Sequence, residues 1–375
     1  MQKTHTNALS AGLSEHIGLT GTRLETMSWL VAQVVRVGTV SLWRLAAHME
    51  SRAQTRSVHR RLERFFQHVR LDGESVARLI VAAMGLSGKP WRLVLDRTNW
   101  KFGQSEHNIL MLGVVLDGVC VPLFWTMLDK TGNTNAEERI DLLSRLRACF
   151  PDQALSCVIG DREFVGERWM SWLHAANIPF VLRIKENMHI WNDHHAPVQM
   201  SRKFAALRKR QKIVLKGAWH LCADQARPGP LVRIAALRLK TGEMLIIATT
   251  MPHTKYALPL YRQRWGIETL FSCLKTRGMN LEATHMTQPE KISVLMAVVS
   301  IGFCCAYKTG LVMTRRTPPP RKSHGRKERS TFALGLNALR KMTTAQPFRH
   351  VSALFARIFS ATNPLKPLIQ PGLRL

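Results

Sequence analysis

Three acidic residues stand where a folded chain could use them together. Asp96 and Asp161 each come at the end of a short apolar run, and Glu268 is the only acidic residue between positions 261 and 280. Carboxylates are ligands that Mg²⁺ prefers, and two such ions about 4 Å apart can hold both the attacking and the leaving oxygen of a phosphodiester. The three acids are therefore candidate metal ligands for phosphodiester cleavage.

Glu268 belongs to a row of polar side chains on one predicted helix. At about 100° per residue, Tyr261, Arg264, Glu268 and Lys275 fall within an arc of about 60°. A surface Arg–Glu pair four residues apart is the simpler interpretation and would contribute only about 0.3–0.5 kcal/mol. Each aspartate, taken alone, is likewise explained by a turn or a helix cap.

The elements that must position these residues form an α/β pattern between positions 86 and 185. The predicted order is three strands, a helix, a strand, a helix and a strand. The strands are Arg92 to Asp96, Ile109 to Leu116, Val119 to Leu128 with a turn at Asp117-Gly118, Leu155 to Ile159, and Phe180 to Ile184. The spacing Thr134-x-x-Glu137 predicts the start of the first helix. If the fourth strand pairs beside the first, Asp96 and Asp161 converge at one edge of the sheet.

The rest of the chain divides into an insertion and helical regions. A basic stretch from about 186 to 255 ends in a predicted hairpin, Leu231 to Leu239 and Met244 to Thr249. A long helix is predicted from about Leu258, and an apolar helix from 290 to 313.

The charge of the chain is strongly basic and unevenly distributed. Its 375 residues include 54 Lys+Arg and 25 Asp+Glu, giving a net charge of +29. Residues 1–85 carry +5, residues 86–185 carry +1 and residues 186–375 carry +23. This balance suggests a polyanionic partner around a nearly neutral core that has kept its carboxylates.

Two basic segments are candidates for contact with that partner. In a predicted helix from Arg52 to Arg70, Arg56, Arg60 and Arg64 recur every four residues, away from an apolar stripe. This pattern fits a DNA-contacting helix and a solvated face equally well. Residues 314–330 hold seven basic residues, one acidic residue and three consecutive prolines.

Several classes of protein are disfavoured by the sequence. The N-terminus lacks the apolar core of a signal peptide, and the most apolar stretch, 292–307, is interrupted by serines and favours a buried core helix over a membrane span. Seven cysteines without a CxxC pair argue against disulfides and a zinc site. The chain has no Gly-x4-Gly-Lys loop, so we expect no nucleotide cofactor. The expected location is the cytoplasm.

The spacing Tyr261-x2-Arg264-x3-Glu268-x6-Lys275 resembles the Tyr-Arg-Glu-Lys signature of the insertion-sequence-four family of DDE transposases. Asp96 in Asp-x-Thr-x-Trp and Asp161 in Asp-Arg-Glu-Phe resemble that family's two aspartates. The resemblance covers residues 90–290. It implies an RNase H-like (retroviral-integrase-like) core over 86–290 with a β-rich insertion at about 186–255. Helical regions would flank it, a DNA-binding region over 1–85 and a basic region over 291–375.

The same resemblance implies a cut-and-paste DNA transposase. Asp96, Asp161 and Glu268 would bind two Mg²⁺ ions, with Mn²⁺ as a substitute, and Glu163 is the first alternative if one ligand is misassigned. Cleavage would occur at the element ends, and the freed 3′-hydroxyl would attack target DNA without a covalent protein–DNA link. Tyr261, Arg264 and Lys275 would contact phosphates near the end.

Self-association is also implied, because two ends must be joined in one complex. A homodimer on double-stranded DNA, associated with a bacterial nucleoid, is expected. Its interface would involve the helix 290–313 and the tail from 331. Single Trp residues at 191, 219 and 265 could stack on an unpaired base, although packing in the core or at its rim is the simpler role for each.

Two alternatives remain open at this point. An RNase H-like nuclease would use the same carboxylates without strand transfer. A non-catalytic, basic DNA-binding protein would use the charge alone, although the presence of all three acids argues against a decayed site.

Overall fold

The fold comes from a computed structural model, which describes residues 8–50, 52–102, 104–222, 229–323, 325, 327–344 and 346–359. The chain forms two units. A sheet unit contains Gly88–Thr98 and Asn108–Thr269, and a helical unit contains the described residues of Met1–Ser87, Asn99–His107 and Leu270–Leu375. The two flanking regions predicted to be separate, residues 1–85 and 291–375, therefore fold into the same unit. The tail after position 359 lies outside the described residues.

The helices with their bounds are α1 (Ala8–Ser14), α2 (Gly21–Val37), α3 (Leu42–Ala47), α4 (Thr55–His68), α5 (Gly73–Met84), α6 (Ala136–Cys149), α7 (Glu167–Ala175), α8 (Met200–Lys203), α9 (Ala257–Tyr261), α10 (Trp265–Lys275), α11 (Pro289–Arg316), α12 (Thr331–Thr343) and α13 (Phe348–Phe359). The strands are β1 (Trp91–Phe102), β2 (Ser105–Leu116), β3 (Val119–Leu128), β4 (Leu155–Gly160), β5 (Phe180–Ile184), β6 (His189–Asn192), β7 (His195–Gln199), β8 (Lys212–Val214), β9 (Trp219–Cys222), β10 (Leu231–Arg238) and β11 (Met244–Thr249).

The strands form one large mixed sheet, which confirms the α/β class. Their order is β3-β2-β1-β4-β5-β11-β10-β9-β6-β7, and β8 pairs with β10. β1, β4 and β5 run parallel, whereas β2 and β3 form an antiparallel hairpin. Asp117 and Gly118 between them have φ values of 47° and 85°, as the predicted tight turn requires.

The insertion is β-rich, as predicted, but it is not a separate sheet. The hairpin β10–β11 forms at the predicted residues, and β11 pairs antiparallel with β5. The insertion therefore extends the central sheet directly beyond β5.

The first helix of the sheet unit starts one residue later than predicted. Asn135, not Thr134, accepts the backbone N–H of Glu138, and the Glu138 carboxylate accepts the N–H of Asn135 in return. The Thr134 hydroxyl is used differently, because it accepts a hydrogen bond from the buried guanidinium of Arg139 at 2.7 Å.

α11 is the core of the helical unit. It is long and apolar enough to span a membrane by length and composition alone, yet 89% of its most apolar window is buried inside the protein. It packs on α2, α5, α12 and α13. The expectation that 290–313 forms an oligomer interface is therefore wrong for most of this helix, because its apolar side chains are already covered.

α11 and α12 cross at very short range, since glycines face each other at the crossing. A Cβ atom on Gly335 would lie 1.9 Å from the carbonyl oxygen of Ala306, and one on Gly310 would lie 1.8 Å from that of Thr331. Both ends of the chain join the same bundle, because α1 packs on α13 and the Leu9 N–H donates to the Ser352 hydroxyl at 3.0 Å.

Candidate active site

The site starts where two neighbouring parallel strands, β1 and β4, stop pairing with each other. The last paired residues of β1 and β4 are Leu95 and Gly160, and Asp96 and Asp161 directly follow them in the sequence. β1 itself continues to Phe102, so Asp96 lies within the strand rather than at its end as predicted. The two aspartates nevertheless meet at one edge of the sheet, as the sequence predicts.

Asp161 is held by the turn that follows it. Its carboxylate accepts the N–H of Arg162 at 2.8 Å and caps a single 3₁₀ turn, Arg162–Phe164. Arg139 on α6 donates to the Glu163 carbonyl at 2.8 Å, and its guanidinium lies 5.3 Å from the centre of the Phe164 ring. The buried arginine thus ties the turn to the start of α6.

The row from Tyr261 to Lys275 does not lie on one continuous helix, which corrects the prediction. α9 ends at Tyr261, Arg262–Arg264 form a 3₁₀ turn, and α10 starts at Trp265. The tighter turn changes the angle per residue, so the predicted arc does not apply across it. α10 packs closely against the start of β3 at Gly266, because a Cβ added to this glycine would lie only 3.0 Å from the Cys120 backbone nitrogen.

Arg264 joins all three candidate carboxylates. Its Nη1 donates to Asp96 Oδ2 at 2.8 Å, and its Nη2 pairs with Glu268 Oε1 and lies 3.9 Å from Asp161 Oδ2. Only 12% of the Arg264 side chain is exposed, and 14% of Asp96. One guanidinium therefore serves as the shared counter-ion of three acidic side chains from three different elements.

Asp161 has two further partners. The Tyr261 hydroxyl donates to Asp161 Oδ1 at 3.0 Å, and Arg183 Nη1 lies 3.8 Å from the same oxygen. Arg183 also pairs with Glu243. Sequence reasoning missed Arg183, although a single charged residue within the apolar strand 180–184 was a usable signal.

Burial and charge shift the acid–base properties of this cluster. Burial raises the pKa of Asp96 from 3.8 to about 6, against the lowering effect of Arg264. Burial and the neighbouring Asp161 raise the pKa of Tyr261. Burial alone would lower the pKa of Arg264, but the surrounding anionic groups raise it overall, so this arginine stays charged.

Glu163 lies beside the cluster but faces another cation. Its carboxylate is 3.3 Å from Arg97 Nε, and Arg97 also donates to Asn108 and Asn133. Glu163 thus has a partner of its own, and Arg264 bridges only the acids at 96, 161 and 268.

A family comparison matches this part of the chain. The model of the transposase DDE domain family covers residues 87–305, more than half of the sequence and all of the acidic cluster. The chain belongs to the transposase DDE domain family. No curated protein sequence matches it significantly.

Two solved structures resemble this DDE domain protein weakly. A piggyBac transposase synaptic complex with hairpin DNA is 11% identical, with a TM-score of 0.44, and the match covers 98% of this chain and 78% of that one. The catalytic domain of human endonuclease V is 17% identical, with a TM-score of 0.27, and the match covers 64% of this chain and 92% of that one. Both TM-scores are too low to establish a shared fold.

The donor atoms of the DDE domain cluster suit a hard divalent cation. Asp96, Asp161 and Glu268 offer carboxylate oxygens only, and Mg²⁺ prefers such ligands together with water and substrate phosphate. Within the described residues, no group of three His, Cys, Asp or Glu side chains is arranged to hold a metal as it stands. Instead, the guanidinium of Arg264 contacts an oxygen of each of the three carboxylates.

The remaining candidate DNA contacts of this DDE domain protein lie in the helical unit. Lys275 Nζ donates to the Asn99 carbonyl at 2.8 Å and pairs with Glu282 at 3.1 Å, so its charge is already engaged. Arg61 of α4 also has a partner, because it donates to the Thr26 hydroxyl at 3.1 Å. By contrast, the other three arginines of α4 are exposed and, among the described residues, make no side-chain hydrogen bond or ion pair. They are Arg56, Arg60 and Arg64.

The three tryptophans considered for base stacking differ in access. Trp219 is buried, and Trp191 stacks on His220 at 4.6 Å. Trp265 is 65% exposed directly beside Arg264. Only Trp265 of these three presents most of its ring to solvent.

Proposed function

We propose that this protein is a DNA transposase that cleaves element ends and transfers the freed strand into target DNA. The observation that carries the proposal is the convergence of Asp96, Asp161 and Glu268 on one cation within a transposase DDE domain. The sheet order β3-β2-β1-β4-β5, with β1, β4 and β5 parallel, supports an RNase H-like core.

The three carboxylates would hold Mg²⁺, in two sites, with Mn²⁺ as a substitute. Divalent ions bound there would supply charge stabilisation at the phosphate and activation of the attacking water or hydroxyl. The chain itself would orient the acids. Tyr261 and Arg183 hold Asp161, and Arg139 holds the turn behind it.

Arg264, Tyr261 and Lys275 are proposed to contact phosphates near the element end, as the Tyr-Arg-Glu-Lys resemblance implies. The three free arginines of α4 are proposed to contact the DNA backbone, where each neutralised phosphate releases counter-ions and favours binding. Their lack of side-chain partners within the described part of the chain supports this role, since an arginine with no partner carries its full charge to a ligand.

The proposal also includes that the protein self-associates on DNA and is located at the bacterial nucleoid. Two element ends must lie in one complex for their joining to a target. With α11 buried in its own unit, the exposed surfaces of α12 and α13 are the better candidates for the contact between subunits.

Cleavage and joining test the proposal with one set of DNA substrates. A labelled duplex with the DNA that flanks this gene is incubated with Mg²⁺ and unlabelled plasmid. We expect end-specific nicks and joined products with the wild-type protein, and neither with Glu268→Gln, which should still bind the duplex.

The other outcomes discriminate between the alternatives. Nicks without joined products would identify a nuclease, and binding without nicks in the wild-type protein would identify a non-catalytic DNA-binding protein. Mg²⁺-dependent nicking by Glu268→Gln equal to that of the wild type would remove Glu268 from the site.

A further inference from the structure

Arg264 lies where divalent ions would bind if the proposed function is correct, and the following inference rests on that function. Its two terminal nitrogens bond different acids, Asp96 Oδ2 at Nη1 and Glu268 Oε1 at Nη2, and Nη2 lies 3.9 Å from Asp161 Oδ2. The side chain is 12% exposed, so little water separates it from these oxygens.

The guanidinium and a divalent ion would compete for carboxylate oxygens, since Asp96 Oδ1 already accepts the Arg97 N–H and Asp161 Oδ1 already accepts the Tyr261 hydroxyl. Mg²⁺ sits about 2.0–2.1 Å from its ligands in near-octahedral geometry. An ion at that distance from Asp96 Oδ2 and Glu268 Oε1 would be placed against the Arg264 nitrogens that now bond these atoms. Two like charges at such range, in a site with little water, repel strongly. Metal binding therefore requires Arg264 to move.

Arg264 needs another anion before it can leave three carboxylates. A buried charge that loses its partner is strongly unfavourable, so the displaced guanidinium must pair again. A DNA phosphate suits it best, because the planar fork of arginine binds phosphate oxygens in pairs. Arg264 also ends the 3₁₀ turn Arg262–Arg264 between α9 and α10, and such a break within a helix often marks a hinge.

We propose that Arg264 is an internal counter-ion that keeps divalent metal out of the carboxylate site until a DNA phosphate draws the guanidinium away. DNA and metal then bind with positive cooperativity. The coupling is reciprocal, so metal must strengthen DNA binding by the same factor by which DNA strengthens metal binding.

The test measures metal binding rather than cleavage. Mn²⁺ alone is titrated into the full chain, and free Mn²⁺ is followed by electron paramagnetic resonance, without DNA and with a pre-cleaved end duplex. Ions bound at the site are those lost in Asp96→Asn, which also corrects for Mn²⁺ bound by the duplex itself. No target DNA is present, so no reaction proceeds.

Three variants isolate the role of the guanidinium. Arg264→Gln removes the charge, and Arg264→Lys keeps it but lacks the fork that bridges two carboxylates. Arg262→Gln is the matched control, since Arg262 lies two residues away, is exposed and makes no ion pair among the described residues. Melting temperatures without metal show whether each variant is folded.

In the wild-type protein we expect the duplex to raise site Mn²⁺ affinity about 5- to 150-fold, the usual range of coupling between two ligands. Without DNA, Arg264→Gln should bind Mn²⁺ at least about 5-fold more tightly than the wild type, and the duplex should then add little. Arg264→Lys should be intermediate, and Arg262→Gln should match the wild type.

Two results would overturn the inference in different ways. If Asp96-dependent Mn²⁺ binding is present but equally tight with and without DNA, and unchanged in folded Arg264→Gln and Arg264→Lys, the counter-ion role is wrong and the carboxylate site stands. If no Asp96-dependent binding is found in any variant or condition, the proposed metal site fails, and the inference fails with it.

Discussion

Arg139 offers the sharpest test of how the site is held in place. This buried guanidinium donates to the Thr134 hydroxyl at 2.7 Å, to the Thr134 carbonyl at 2.5 Å and to the Glu163 carbonyl at 2.8 Å. No carboxylate pairs with it among the described residues, and burial lowers its pKa. Its main contribution is therefore that of hydrogen bonds, which join Thr134 to the turn that follows Asp161.

Replacement by methionine keeps most of the apolar volume and removes every donor. A buried acceptor left unsatisfied costs about 1–3 kcal/mol, and two carbonyls would be left so, while the hydroxyl can rotate. Removal of a poorly solvated charge offsets part of that cost. We expect Arg139→Met to lower the free energy of unfolding by about 2–4 kcal/mol. DNA cleavage should fall more than DNA binding, since the turn after Asp161 loosens.

Arg145 on the same helix is the matched control. Among the described residues its side chain makes one hydrogen bond, to the Thr126 hydroxyl at 3.3 Å, and it lies over the Phe124 ring and is only partly buried. Arg145→Met should cost less than about 1 kcal/mol. Urea denaturation followed by circular dichroism gives both values. Equal stability of the two variants would refute the reasoning about Arg139.

Three further predictions concern other parts of the structure. Gly266→Ala places a Cβ 3.0 Å from the β3 backbone, so we expect the free energy of unfolding to fall by about 1–3 kcal/mol. We also expect DNA cleavage to fall more than binding of the element end. Normal cleavage by this variant would show that α10 can shift freely. In the metal-free protein, Asp96 has a pKa of about 6 in the folded state and about 3.8 in the unfolded state. Protonation of Asp96 therefore stabilises the folded state, and this contribution is complete below about pH 4 and is lost as the pH rises through 6. The free energy of unfolding should fall by about 3 kcal/mol across this pH range in the wild-type protein, and this fall should be absent in Asp96→Asn, as measured by denaturation at each pH. Parallel pH profiles of the two proteins would contradict the raised pKa of Asp96. In a salt titration of duplex binding, Arg60→Gln should reduce the slope of log affinity against log salt concentration by about 0.9. Arg78 on α5 already pairs with two acidic side chains, so Arg78→Gln should leave this slope unchanged.

The sequence was a good guide to the first half of the site. Asp96 and Asp161 follow apolar runs, and the carboxyl ends of parallel strands meet at one sheet edge, so their convergence follows from strand order alone. The hairpin turn at Asp117-Gly118 was readable for a similar local reason, because few residue pairs accept two positive φ angles.

The second half of the site depended on contacts that no local pattern contains. Helical periodicity placed Arg264 and Glu268 on one face, but it could not show that Asp96 is the second partner of the guanidinium. The break between α9 and α10 was invisible for the same reason, because the residues at 262–264 are all acceptable in a continuous helix. The family resemblance predicted that Lys275 contacts a phosphate, but its contacts with Asn99 and Glu282 depend on the fold and could not be predicted from the sequence.

The packing of α1 and α2 on helices from the other end of the chain sets an order of events during synthesis. α2 contacts α11, α12 and α13, and α4 contacts both α2 and α11. Domains normally complete their folding from the N-terminus as the chain emerges from the ribosome. α4 can pack on α2 and α3 as soon as it is made, whereas its contact with α11 forms only after that later helix has been translated. A polypeptide that terminates before α11 would therefore lack the central helix of this bundle, and α2 would lose its contacts with α11, α12 and α13.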